Sequence, residues 1–389
     1  MANVISATLI DRIYAMGLMA LRRKTSLLQA VMRYDRDMSV STFHGDTVVI
    51  PIPADFTDAM VLDVAPANIP PVPSDITPRF ASIVLSNWKK VGYALTDLEV
   101  DRLQAGTFTS QFDAAIDALA RTIIRSVWAN YTGIYQATGT AGTTPFASNT
   151  TVVSGARLLL NQAGAPMDKR SMVLGFDADA NAINLAIFQQ YLQAGSTDAL
   201  IEGSIKRAVG FDWMTDAYAP TFTGGTLSNG TTKAALINSA NAAIGDTSVG
   251  MDSPTLTGTL VVGDIFTVAG STQQYVVTAA ATAASNAIAS VSFQPPAKVA
   301  FANNAAVTFL ASHAISGLAL HQSAIAFASK PLDSVMFEGG SQIRQYPDPM
   351  SGLTLCLEIS RQYKQTVAEF SCLWGSTLAR PECAVRILG

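Results

Sequence analysis

Residues 107–133 read TFTSQFDAAIDALARTIIRSVWANYTG, the cleanest helical stretch in the chain. Phe108, Phe112, Ile116, Leu119, Ile123 and Val127 recur at spacings of three and four, which places them on one face of a helix. Asp113 and Asp117 come early and Arg121 and Arg125 late, as the helix dipole favours. Asp117 stands four residues before Arg121, which adds weak support, and Gly133 ends the run. A long one-sided helix of this kind is a spine on which sheets can pack.

Upstream, residues 79–97 read RFASIVLSNWKKVGYALTD, with Ala81, Ile83 and Leu85 alternating against Ser82, Val84 and Ser86. Gly45-Asp46 makes a turn before a second extended run, Thr47 to Ile52. Pro51 and Pro53 cannot donate to a ladder, so this run belongs at an edge or in a thin ribbon. Between the two lies the Pro-rich stretch APANIPPVPSDITP (65–78), with Pro70, Pro71, Pro73 and Ser74 at its tip. The expectation is a long protruding hairpin with no core of its own. Such an element is marginal alone and normally lies on a neighbour. Residues 1–38 read as helix, with Ile5, Leu9, Ile13 and Met16 in one stripe and Leu27, Leu28 and Val31 resuming it. Arg22, Arg23 and Lys24 sit between these stripes, either as a solvated face or as an arm for an acidic partner.

Downstream, residues 150–225 alternate helix and strand, the pattern of an α+β domain. Residues 241–310 change character: Asp246, Asp252, Asp264 and Lys298 are their only charged residues. Four β runs are expected there, Thr257–Val262, Ile265–Val268, Tyr275–Thr278 and Ala289–Phe293, with Ala306–Leu310 closing. Short strands at this spacing suggest a small barrel or sandwich, inserted into the α+β domain. Residues 352–388 then read as three strands, the first two a hairpin around Tyr363-Lys364-Gln365. The last, Ala384 to Leu388, is apolar enough to require pairing and burial.

The 389 residues are 49% hydrophobic and only 14% charged. Globular domains carry about 25% charged residues, so this surface suits burial against other subunits. A net charge of −4 is no footprint for gripping DNA. Cys356, Cys372 and Cys383 form no CxxC pair and read as small buried hydrophobes in a reducing compartment. The N-terminal order, an apolar run before its basic residues, is the reverse of a secretion signal, and no apolar run of about 20 residues suggests a membrane span.

Catalytic motifs are missing. There is no phosphate-cradling GxxxxGK[ST], no GxGxxG after a strand, no HExxH and no GxSxG. His44, His313 and His321 lack metal-ligand spacing and read as hydrogen-bonded, partly buried histidines. Asp177 and Asp179 fall where helix caps are expected, and Glu99 and Asp101 are ordinary helix-entry acids. No catalytic, metal or cofactor site is expected.

The order of parts resembles the major capsid protein of a tailed bacteriophage with the Hong Kong 97-type fold. Three stretches carry the likeness. ITPRFASIVLSNWKKVGYALTDLEV (76–100) resembles the family's returning hairpin strand and its junction into helix. GSTLARPECAVRILG (375–389) resembles its closing strand, with Arg380-Pro381-Glu382 leading into Ala384-Val385. Gly203, Ile205, Arg207, Gly210, Phe211 and Asp212 are similar to a run in short-tailed phage coat proteins, and GDIFTVAGSTQQYVVTA (263–279) looks like their inserted domain.

The resemblance implies an α+β chain divided as follows. Residues 1–40 form an N-terminal helical arm, 41–105 an extended hairpin loop, and 106–149 a peripheral domain with the spine helix. Residues 150–240 form an axial domain, 241–310 an inserted β-barrel or sandwich, 311–340 the axial return, and 341–389 peripheral strands that include the last one. It implies assembly, not catalysis: hexamers and pentamers closing into an icosahedral shell around double-stranded DNA in the virion, put together in the host cytoplasm. Pro51, Pro53, Pro70, Pro71, Pro73 and Ser74 would meet a neighbouring subunit, and Arg22, Arg23 and Lys24 a scaffolding protein. Portal and decoration proteins are further implied partners. The alternatives are an encapsulin-like shell, another phage structural protein, or a cytosolic enzyme.

Overall fold

The computed structural model describes residues 14–15, 17–19, 21, 27–34, 47–53, 78–98, 105–190, 201–227, 235–238, 242–331, 342–348 and 351–389. Arg22, Arg23, Lys24, Pro70, Pro71, Pro73 and Ser74 lie outside them, as do His44, Glu99 and Asp101.

The spine helix spans Ala105–Trp128 and ends in a 3-10 turn, Ala129–Gly133. Ile116, Leu119, Ile123 and Val127 are buried, as their spacing predicts. The helix docks on the long strand Gln365–Leu378 through polar bonds as well as packing. Trp374 Nε1 donates to Ser126 Oγ (2.8 Å), and Asn130 Nδ2 donates to Ser376 Oγ (3.0 Å). One hydrophobic core joins this helix to both main sheets, from Leu355 and Phe370 on one side to Val173 and Leu318 on the other.

Among the described residues, the first main sheet has six strands. Its path runs Met32–Arg33, Ile325–Ser329, Gln365–Leu378, Thr354–Gln362, Gln342–Pro347, and Asn87–Thr96 also pairs with Gln365–Leu378. Tyr363 and Lys364 turn the central hairpin at positive φ (47° and 60°), and Gln362 pairs with Gln365 across it. The hairpin thus turns where the sequence placed it, on the first two residues of Tyr363-Lys364-Gln365.

Among the described residues, the second main sheet has seven strands. Its path runs Ala137–Thr138, Ala384–Leu388, His313–His321, Arg170–Gly175, Phe211–Asp216, Arg207–Ala208, with Thr221–Phe222 paired beside His313–His321. The last strand belongs to this sheet, while the two strands before it, Thr354–Gln362 and Gln365–Leu378, belong to the first. Pro381 lacks an amide hydrogen, and the 3-10 turn Pro381–Cys383 breaks the ladder and sends the chain across. All five residues of Ala384–Leu388 are buried, which a strand flanked on both sides explains. Conversely, Ile325–Ser329 lies in the first sheet, because the chain crosses back at residues 322–324.

Residues 235–309 contain a closed six-stranded barrel, ordered Ala235–Ile237, Ser248–Asp252, Ala287–Gln294, Gln274–Val277, Ile265–Val268, Ala306–Phe309. Its own core stacks Phe266 on Tyr275 (5.5 Å between centroids), with Phe293 and Phe301 edge-on to Tyr275 (5.3 and 5.4 Å). The barrel begins before the expected residue 241, since a three-residue strand gives no alternation to read. The expected strand Thr257–Val262 shrinks to Thr259–Leu260, paired with Ala281–Thr282 outside the barrel. Gly258 at φ 122° and Gly263 at φ 101° bracket it and bend the chain away.

The hairpin strands Thr47–Ile52 and Arg79–Val84 pair in register from Thr47↔Val84 to Ile52↔Arg79. The returning run is not one strand. It breaks at Leu85-Ser86, and its second half, Asn87–Thr96, enters the first sheet. Nor does the described hairpin stand without a core, because Ile50, Ile83 and Leu85 pack on Ala326 and Ala328.

Candidate assembly surfaces

The hairpin is apolar on both faces, and that is its unusual property. Period-two alternation turns Ile50, Ile52 and Ile83 inward, where they are buried. The same alternation turns Val49, Pro51, Phe80 and Val84 outward, all exposed, with Pro51 directly opposite Phe80. Val84 is 52% exposed and Phe80 63%, and Trp88 on the next strand is 65% exposed. The face is mostly apolar, interrupted by Thr47 and by Ser82 opposite Val49, and an exposed apolar cluster of this kind marks a contact surface rather than ordinary surface scatter. Pro53, also exposed, continues from the strand end. Of the residues expected to meet a neighbour, Pro51 and Pro53 are thus at the surface, with Pro51 on this face. Phe80, Val84 and Trp88 were missed in the sequence. Their clue was apolar residues at consecutive positions, which leaves Thr47 and Ser82 as the only polar side chains of the described pair on the outward face.

Two charged pairs lie along Asn87–Thr96. Lys90 Nζ meets Glu369 at 2.9 Å, and Arg361 Nη2 donates to Asp97 Oδ2 (2.7 Å). Both are largely exposed and contribute little to stability. Lys89 and Lys90 also discourage indiscriminate pairing along this strand, which pairs only with Gln365–Leu378 among the described residues.

The barrel is bolted to the second sheet. Ala137 N donates to Gln274 Oε1 (2.6 Å), and Gln274 Nε2 donates back to Ala137 O (3.1 Å). Gln294 Nε2 donates to Gly133 O (3.2 Å). Arg386, fully buried in the last strand, donates from Nη1 to Gly263 O (2.9 Å) and from Nη2 to Thr132 O (3.1 Å). Its guanidinium also lies over Tyr131 (5.4 Å) and Phe222 (5.8 Å). Burial pushes its pKa down to about 9, against the attraction of Tyr131 and Asp264. Beside this joint is a cleft of about 830 Å³ lined by Leu159, Gln162, Pro295 and Lys298 among others.

Asp177 and Asp179 lie in the first turn of Phe176–Ile183, but they do not cap it. The N-cap is Gly175, with no side-chain bond. The aspartates act through the dipole alone. His313 Nδ1 lies 2.7 Å from Ala311 O, and His321 Nδ1 lies 2.7 Å from Ser323 Oγ, so both are hydrogen-bonded. The three cysteines are free and buried, and burial pushes the Cys372 thiol up to about 12. Among the described residues, no group of three or more His, Cys, Asp or Glu side chains is placed to hold a metal.

No family model matches the chain, and no curated protein matches its sequence. Solved structures do match. A chain of Mycobacterium phage Che8 aligns with a TM-score of 0.50 at 13% identity, over 94% of this chain and 91% of that one. A chain described as the capsid structure of the cyanophage P-SCSP1u aligns at TM-score 0.47 and 12% identity, over 92% and 86%. A chain from the capsid of a native GTA particle aligns at TM-score 0.47 and 10% identity, over 94% and 89%. Nearly end to end, this α+β chain has the fold of the Mycobacterium phage Che8 protein.

Proposed function

We propose that the chain is the major capsid protein of a tailed bacteriophage, with a Hong Kong 97-type fold carrying an inserted β-barrel. Subunits assemble as hexamers and pentamers into an icosahedral shell around double-stranded DNA. The observation that carries this reading is the two-faced apolar hairpin, with Val49, Pro51, Phe80 and Val84 exposed on an isolated subunit. The face is complete only when a second subunit covers it. The likeness to a phage protein and the 14% charge content point the same way. The hairpin tip at Pro70, Pro71, Pro73 and Ser74 lies over the neighbour, and Arg22, Arg23 and Lys24 meet a scaffolding protein. Portal and decoration proteins complete the particle, which forms in the host cytoplasm. The chain performs no catalysis.

The test is negative-stain electron microscopy and sedimentation of the protein with its scaffold, with and without the pair Phe80→Ser and Trp88→Ser. Each exposed side chain, once covered, is worth about 1.5–3 kcal/mol per contact. The variant keeps its thermal unfolding but does not close shells. Normal shells from the variant would overturn this assignment of the contact face.

A further inference from the structure

The seven-stranded sheet carries a histidine at the barrel joint that has room for one proton only. His313 opens the strand His313–His321 and is 3% exposed. Its Nδ1 lies 2.7 Å from the carbonyl of Ala311, which can only accept, so Nδ1 carries the hydrogen. Nε2 is therefore the bare lone pair of a neutral ring. It is buried and has no hydrogen-bond partner. A second proton would sit on Nε2 with no acceptor to receive it.

It would also sit beside a cation. The His313 ring packs on Phe222 (5.4 Å between centroids), and the Arg386 guanidinium lies over the same Phe222 (5.8 Å). The charged and titratable groups around the joint come from several elements. Arg386 is on the last strand, Asp264 on the barrel turn before Ile265–Val268, and Tyr131 in the turn after the spine helix. Thr221 and Phe222, paired with Ala314 and His313, bring no charge. Gly389 is close by, its main-chain oxygen accepting from Ala314 (3.0 Å) and Gly142 (3.0 Å). Asp264 is committed to backbone amides, accepting from Val261 (2.7 Å) and Gly225 (3.2 Å). It balances one cation, Arg386, and not two.

The geometry points to His313 as a proton-sensitive catch: a neutral ring keeps the barrel seated on the sheet, and protonation at Nε2 unseats it. Burial holds the imidazole below its ordinary range; the Ala311 bond opposes this and Arg386 adds to it. The sign follows. The folded joint binds fewer protons than the open one, so it is most stable above about pH 6.5, the ordinary imidazole value. It weakens as pH falls below that, with the open fraction rising up to about tenfold per pH unit until the buried ring itself protonates. This inference does not depend on the capsid reading.

The test compares wild type with His313→Asn, whose amide can still donate to Ala311 O but does not titrate. Hydrogen exchange of residues 129–138 and 259–268 is followed from pH 7.5 to 5, corrected for intrinsic rates. Wild type is expected to lose protection up to tenfold more per pH unit than the variant. Equal pH dependence in the two proteins would overturn the proposal. A second measurement is ring-carbon NMR of the three histidines. Burial pushes both His313 and His321 below the ordinary range, so the His313 signal is assigned as the one that disappears in His313→Asn. That signal should titrate below the ordinary range together with the loss of protection at the joint, and an ordinary titration of it with a closed joint would overturn the proposal equally.

Discussion

Replacing Arg386 with Met isolates what a buried cation does at the barrel joint. The guanidinium makes two charge-assisted bonds, to Gly263 O (2.9 Å) and Thr132 O (3.1 Å). Each is worth about 1.5–3 kcal/mol. Its faces on Tyr131 and Phe222 add about 0.5–2 kcal/mol each. Opposing these is the dehydration of the charge, several kcal/mol, which is why its pKa falls to about 9. Met keeps the stem volume and removes that penalty, so the gross sum is not the expected loss. What decides the outcome is Asp264, 0% exposed, which accepts from the Val261 and Gly225 amides and loses the Arg386 counter-charge. An uncompensated buried charge costs about 3–5 kcal/mol, and this is the expected destabilisation. Adding Asp264→Asn removes the orphaned charge and should recover all but about 1–2 kcal/mol. Urea unfolding followed by tryptophan fluorescence measures both. A single variant within about 1 kcal/mol of wild type, or a double variant no better than the single, would refute the reasoning.

Gly375→Ala should cost about 2–4 kcal/mol, because its new methyl would run into Val84 O and come within 2.9 Å of Ile83 Cγ2, displacing the hairpin root. Thermal unfolding reads the loss, and trypsin should cut the hairpin faster than in wild type. Trp374→Phe leaves Ser126 Oγ without its indole donor and trims a fully buried ring, so a loss of about 1–3 kcal/mol is expected in the same unfolding assay. Cys372, its thiol pushed up to about 12, should resist iodoacetamide at pH 8 in the folded protein and react once urea unfolds it; alkylation at the folded-state rate of a free thiol would contradict its burial.

The spine helix was legible because a 3.6-residue period sustained from Phe108 to Val127 has no competing reading. The hairpin pair was legible from its Pro-rich connection and its extended runs. Its break at Leu85-Ser86 was not, because alternation continues unchanged when a strand changes partners. Burial of the last strand followed from its composition, but its sheet did not. Which ladder Ala384–Leu388 joins depends on a turn of three residues, Pro381–Cys383, whose direction no pattern encodes. The barrel's Ser248–Asp252 was invisible because Gly250 and the flanking polar residues erase the strand signature, and the register shifts there as well. Arg386 was missed for a different reason. A basic residue inside an apolar run reads as solvent-facing, and only the assembled joint supplies the carbonyls and rings that hold it inside.

The position of Ala384–Leu388 also sets an order of events in time. The barrel strands all fall within residues 235–309, so that unit can form from local contacts as soon as its own segment is available. The seven-stranded sheet cannot. Its strands Ala137–Thr138 and His313–His321 meet only through Ala384–Leu388, which lies between them. During synthesis the amide edge of His313–His321 stays open until residue 384 has left the ribosome, and a strand with an open edge is where misfolded chains stick to one another.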